Sequence, residues 1–179
     1  MRGSSPGVEE MVTASQWYRD FYRAYGKDQK IQALENRTKL NDSQWTDGLR
    51  EFLRRLAEDL VYEVVTEHKA HGGQRFDQSW SKPGETIAIE YENDYTTILT
   101  EVKKLCSTNS RLRVLITYCP VKNFIPEILN IAQNIIAPEI DKRLGDFGGE
   151  FLLIASGYEW NDWSAIRMVL KAQADPIRL

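Results

Sequence analysis

Arg75-Phe76-Asp77-Gln78-Ser79-Trp80-Ser81-Lys82-Pro83-Gly84-Glu85-Thr86-Ile87-Ala88-Ile89-Glu90-Tyr91-Glu92 is the stretch whose reading decides the fold. Two short runs, 74–80 and 85–93, flank Ser81-Lys82-Pro83-Gly84, and Pro-Gly is a strong turn signal, so the stretch predicts a β-hairpin. Side chains alternate across a strand, which puts Ile87, Ile89 and Tyr91 on one face and Ala88, Glu90 and Glu92 on the other. Burying Phe76 and Trp80 with the isoleucines turns Arg75, Asp77 and Ser79 toward the glutamates. Three carboxylates at neighbouring strand positions repel one another, more so with burial, unless a proton or a cation intervenes.

Working upstream, Leu49, Phe52, Leu53, Leu56, Leu60 and Val64 trace one helical stripe, predicting a long helix through about Lys69 that Gly72 and Gly73 stop. Glu63 falls on that stripe, where a carboxylate is out of place unless it has work to do, so it is read as a fourth acid closing the site from the helix side. Further upstream, Trp17, Phe21 and Tyr25 recur every fourth residue, with Tyr18 and Tyr22 on the adjoining row. This predicts a short aromatic helix that docks on the core or on a second subunit, since five exposed aromatics would invite aggregation. The polar stretch 27–42 reads as a linker, which divides the chain into an N-terminal helical extension and linker, 1–45, and an α/β core, 46–179.

Downstream, Ile98, Val102 and Leu105 share a helical face, and Leu112 to Tyr118 is a compact apolar strand. A helix carries Phe124, Ile128, Ile131, Ile135 and Ile140 inward, with Pro138 expected to kink it. Phe151 to Ala155 reads as a strand buried on both faces, and the alternating run from Trp163 to Lys171 as an edge strand. The order predicts an α/β fold with a central mixed β-sheet flanked by helices on both faces.

A chain of 179 residues supports one well-buried core. Its formal charge of −3 gives no global field that would draw in nucleic acid, so phosphate binding would have to come from local patches or metal. Two cysteines, Cys106 and Cys119, show neither disulfide-framework nor metal-ligand spacing, which favours a reducing, cytoplasmic setting. No apolar run approaches bilayer length and residues 1–6 lack a signal-peptide core, so no membrane association is expected. Oxygen ligands such as Asp77, Glu90 and Glu63 suit Mg²⁺ or Mn²⁺ rather than Zn²⁺.

With these residues in hand, the element order, Asp77 and Glu90-Tyr91-Glu92 resemble the PD-(D/E)xK nuclease superfamily over roughly Thr46 to Tyr118. The resemblance implies a restriction-endonuclease-like core and a Mg²⁺-dependent nuclease hydrolysing phosphodiester bonds in nucleic acid, DNA first. It implies that Asp77 and Glu90 are metal-binding acids, joined by the helix glutamate, Glu63. The pattern departs at Glu92, which stands at the usual lysine position as in the E-x-E variant, and no proline precedes Asp77. Lys103, in the next helix, matches a migrated catalytic lysine. On this reading the catalytic set is Asp77, Glu90, Glu92 and Lys103, the metal set Asp77, Glu90 and Glu63, and Arg75 contacts a substrate phosphate. The competing reading is a catalytically inactive member of the same fold acting as an interaction or regulatory module; a homodimer is open under both.

Several other clusters have plainer explanations. His68 and His71 with Glu67 straddle an element end without a third convincing ligand. Arg50, Arg54 and Arg55 are expected to be solvated or paired with Glu51, Glu58 and Asp59.

Overall fold

The computed structural model describes residues 11–35, 42–69, 75–94, 97–119, 124–143, 149–157, 163–169 and 173–176. Among them, the expected hairpin is present as β2 (Arg75–Lys82) and β3 (Glu85–Glu92), joined at Pro83-Gly84, with Gly84 at φ 78°, a conformation open to glycine without steric cost. The seven strands form one sheet in chain order: β1 (Glu63–Lys69), β2, β3, β4 (Leu112–Tyr118), β5 (Glu150–Ser156), β6 (Trp163–Val169) and β7 (Gln173–Pro176). Strands β3, β4 and β5 run parallel, and the other pairs are antiparallel. The fold is therefore α/β with a mixed sheet, and β6 is an inner strand rather than the edge, because β7 pairs along it.

One face of the sheet carries α1 (Ala14–Tyr25) and α3 (Asp42–Asp59) over Trp80, Ile87, Ile89, Val114, Ile154 and Trp163. The aromatic helix docks on this core: Phe21 meets Phe52 and Trp163 edge-on at ring-centroid distances of 5.5 and 5.3 Å, and Trp17 lies 5.5 Å from Trp80. Burying side chains of that size contributes roughly 1.5–3 kcal/mol apiece. The stretch read as linker includes a short helix, α2 (Gln29–Glu35), capped by Asp28 Oδ1, which accepts from the Lys30 and Ile31 amides, and its Ile31 is buried. The other Asp28 oxygen accepts from Arg55, so capping also ties α2 to α3. Arg54 pairs with Glu51 and Glu58, as expected for a solvated helix face.

The second face carries α4 (Ile98–Cys106), α5 (Phe124–Ile131) and α6 (Ala137–Arg143), packed on Ala88, Leu115, Phe151, Leu153 and Ile166. Residues 132–136, between α5 and α6, form a π-helical segment. Pro138 lacks an N–H and its ring crowds the carbonyl of Asn134, so the wider turn accommodates it without ending the helix.

The long predicted helix is shorter than its stripe. It stops at Asp59, where Leu60 N bonds Leu56 O, Tyr62 N bonds Ala57 O, and Val61 takes φ 60°. A β-branched residue in the left-handed region is strained, and the Val64-Val65-Thr66 run that follows favours strand. Leu60 and Val64 thus share the helical spacing by coincidence, and Glu63 opens β1. His68 also lies on β1, opposite Phe76, while His71 is outside the described residues. Among the described residues no helix is long and apolar enough to cross a membrane.

Candidate functional site

Near the C-terminal end of β3 the sheet does something its register does not dictate. The β2–β3 ladder runs from Lys82 opposite Glu85 to Gln78 opposite Ile89. One step on, Tyr91 N donates to Asp77 Oδ2 at 3.0 Å, a bond to a side chain on the neighbouring strand. Trp80 packs on the first core as expected, but Phe76 joins the second, with Ala88 and α4. Strict alternation from Trp80 predicts the opposite, so strand parity weakens where the paired register ends. The position it would have supplied is taken by Gln78, fully buried, whose Oε1 accepts from Trp80 Nε1 (2.8 Å) and whose Nε2 donates to Arg50 O (2.9 Å).

The aspartate still meets the glutamate. Glu90 is 1% exposed, and Asp77 lies beside it, with Oδ2 held by the amide of the next residue, Tyr91. Two carboxyls brought this close in a buried place disfavour ionisation of both. Burial pushes Glu90 up to about 10, with the charge of Asp77 and the bond to it adding to the shift against the opposing pull of Lys104. Glu90 is therefore the protonated member of the pair at neutral pH.

Lys104, on α4, brings Nζ to 2.8 Å from Glu90 Oε1 and 2.5 Å from Glu101 Oε2, ion-pairing distances although neither approach has hydrogen-bond alignment. Burial works against its charge, but its contacts with Glu101 and Glu90 outweigh that and raise Lys104 above the ordinary lysine value. With Glu90 protonated, Glu101 is the ammonium's ionic partner. On the far side of β3, Arg50 Nε donates to Tyr91 Oη at 3.1 Å; burial, Asp77 and Glu90 hold the phenol up to about 12 despite that contact.

The structure therefore brings Asp77 and Glu90 together, as the sequence predicted, and separates them from the rest of the predicted set. Glu92 shares the face of Glu90, but its Oε1 accepts from the Asp94 amide at 2.9 Å, closing the turn after β3. Glu63 lies opposite Ser81, four residues along β2 from Asp77, because it belongs to a strand rather than to the helix stripe. Arg75 is exposed at the start of β2. Lys103 is exposed on α4, and the neighbouring Lys104 is the lysine at the acid pair. The missed signal is the spacing of Glu101 and Lys104: the first borders the stripe of Ile98, Val102 and Leu105, and the second follows one turn later on the same flank.

No protein-family model and no curated protein matches the chain. Among solved structures it is similar to an amidase from Nesterenkonia sp., at 8% identity over 93% of this chain and 80% of that chain, with a TM-score of 0.43. A variant of that amidase with the acetamide moiety of fluoroacetamide covalently added at its active-site cysteine matches at 10% identity over 99% and 90%, TM-score 0.46. Another variant, described as from the nitrilase superfamily, matches at 8% over 93% and 80%, TM-score 0.43. Likenesses this slight carry neither a reaction nor a fold family to this chain.

They fall on amidases, however, and give no support to the PD-(D/E)xK resemblance, the restriction-endonuclease-like core or the Mg²⁺-dependent nuclease it implied. The site's own chemistry corrects the Mg²⁺ or Mn²⁺ expectation. Among the described residues no group of three or more His, Cys, Asp or Glu side chains is arranged to hold a metal ion. Burial raises the Glu90 carboxyl far above the usual carboxylate range, and the Lys104 ammonium lies 2.8 Å from its Oε1, where a divalent cation was expected to neutralise the acids.

Proposed function

We propose that Asp77, Glu90 and Lys104 form a metal-independent acid–base centre for hydrolysis of a small polar substrate. The observation that carries this reading is the placement of the buried Glu90 between the half-buried Asp77, held at the Tyr91 amide, and the Lys104 ammonium 2.8 Å from Glu90 Oε1. Its position supports the reading too: it lies near the C-terminal end of the parallel strands β3 and β4, the end at which open α/β sheets bind ligands.

Asp77 is the member a substrate can touch. It takes the proton from an attacking water as the oxygen–carbonyl bond forms and returns a proton to the leaving group as the scissile bond breaks, leaving the pair as it began. Glu90 is a positioning residue that holds the reserve proton against Asp77, and Lys104 offsets negative charge on the former carbonyl oxygen. Cys106 and Cys119, both buried thiols outside any disulfide, fit a reducing compartment.

The test is hydrolysis of chromogenic acetate ester and acyl-anilide probes by the full chain with a chelator present. The reading expects chelator-insensitive turnover that falls by about 100-fold or more in Asp77→Asn. For Glu90→Gln it expects a changed pH profile with substrate binding retained. Absence of turnover on both probes, or turnover indifferent to Asp77→Asn, overturns it.

A further inference from the structure

The first strand of the sheet, β1, bonds to β2 along one side; among the described residues nothing pairs with its other side. Open sheet edges offer a row of unpaired amides and carbonyls, and proteins commonly blunt them with proline, bulges, very short strands or charged side chains. Strand β1 uses only the last of these, and with both signs of charge: Glu63, Glu67 and Lys69. It is seven residues long, Glu-Val-Val-Thr-Glu-His-Lys, without proline, keeps the same register with β2 on either side of Glu67, and exposes Val65 at 48%.

We propose that this edge pairs antiparallel with β1 of a second copy of the chain, about a two-fold axis centred on Thr66. The register follows from two independent requirements. Residues facing each other across an antiparallel pair project from the same face, so a two-fold axis normal to the sheet must pass through a residue position, not between two. Of the available centres, Thr66 is the midpoint of Glu63–Lys69 and alone lets all seven residues overlap.

Charge selects the same centre. With the axis at Thr66, Glu63 of each copy stands opposite Lys69 of the other, Val64 opposite His68, Val65 opposite Glu67, and Thr66 opposite itself. Shifting the axis to Val65 sets Glu63 against Glu67; shifting it to Glu67 sets that glutamate against itself. Opposite charges and Thr–Thr pairs stabilise facing positions, whereas like charges destabilise them. Full overlap and charge complementarity thus agree on one register, which makes the edge self-complementary in the way an isologous interface requires. The result is a continuous fourteen-stranded sheet, twice the seven strands of one copy.

The experiment is sedimentation velocity of the full chain from low to high micromolar concentration, with cross-linking as the register test. A dimer fraction that grows with concentration is expected. Facing Cβ atoms in an antiparallel pair lie about 4.5–5.5 Å apart, so Thr66→Cys should form an intermolecular disulfide under mild oxidation while Val65→Cys does so poorly. Cys106 and Cys119 are buried and stay out of the readout. Glu63→Lys should weaken association about tenfold, and adding Lys69→Glu should restore it. Thermal melts matching the parent certify that each variant is folded. A monomer at every concentration overturns the proposal. So does a dimer in which Thr66→Cys fails to cross-link, or in which the double charge reversal is no better than the single.

Discussion

Two glutamates on β3, five residues apart and on opposite faces, show two ways to bury a carboxyl. Glu85 is 3% exposed and surrounded by donors: Oε1 accepts from Val12 N at 2.9 Å, and Oε2 accepts from Tyr62 Oη at 2.8 Å with Lys82 Nζ at 3.2 Å. Glu90 is 1% exposed and faces another acid. The first burial is satisfied by hydrogen bonds; in the second, burial and the neighbouring acid raise the carboxyl to about 10. Glu85 therefore acts as a latch, holding the start of α1 against the sheet much as Glu150 Oε2 does at Ala14 N (2.6 Å) while its Oε1 pairs with Arg167. Glu90 is the residue the proposed acid–base centre uses to hold a proton. The same residue type on the same strand thus sits in two environments, one rich in donors and one beside another acid.

Removing Glu85 gives the sharpest break in this comparison. Glu85→Leu strands an amide, a phenol and an ammonium in a largely buried place, and should cost about 3–5 kcal/mol in denaturant unfolding. Glu90→Gln, equally buried, should cost less than about 1 kcal/mol at pH 7, since an amide resembles the protonated acid and can still donate to Asp77. If the two losses are alike, the division between latch and proton holder is wrong.

The pH dependence sharpens the contrast. Glu90 is raised from 4.5 to about 10 in the folded chain, so the native state keeps a proton that the unfolded state releases. Its contribution is complete below pH 4.5 and is lost as pH rises toward about 10, the interval in which the unfolded state binds fewer protons. Parent stability should decline steadily across that window relative to Glu90→Gln, by up to about 1.4 kcal/mol for each pH unit, read as a difference in Tm against pH. Parallel profiles for parent and variant would remove the buried proton from the account.

The hairpin and its turn were legible in sequence because local signals and period-two patterning agreed there, whereas the meeting of Asp77 with Glu90 came out although one of its premises, Phe76 on the face of Trp80, is reversed. The end of the helix before β1 was not. Leu60 and Val64 continue the 3.6-residue spacing, and nothing short of the backbone reveals that Val61 turns left-handed. Phe76 was misplaced because parity is a property of paired strand, and the listing of apolar residues cannot say where pairing stops. Glu92 was legible in direction but not in duty, since a turn amide two residues on captured its oxygen. The two lysines of α4 show the same limit at finer grain: adjacent in sequence, they differ by 100° around a helix, and only the position of β3 tells which one matters.

That pair also supplies the smallest effect. Lys104→Met removes the cation that joins Glu101 to Glu90, leaving two acids short of a partner, and should destabilise the chain by about 1–2 kcal/mol while lowering turnover on the ester probe. Lys103→Met removes the same charge from an exposed position one residue away, and should leave stability within about 0.5 kcal/mol of the parent and turnover unchanged. Because net charge changes identically, any difference between the two reports position alone. Equal losses would mean that α4 contributes only a diffuse positive field, and the ammonium would then have no specific place in the acid pair's chemistry.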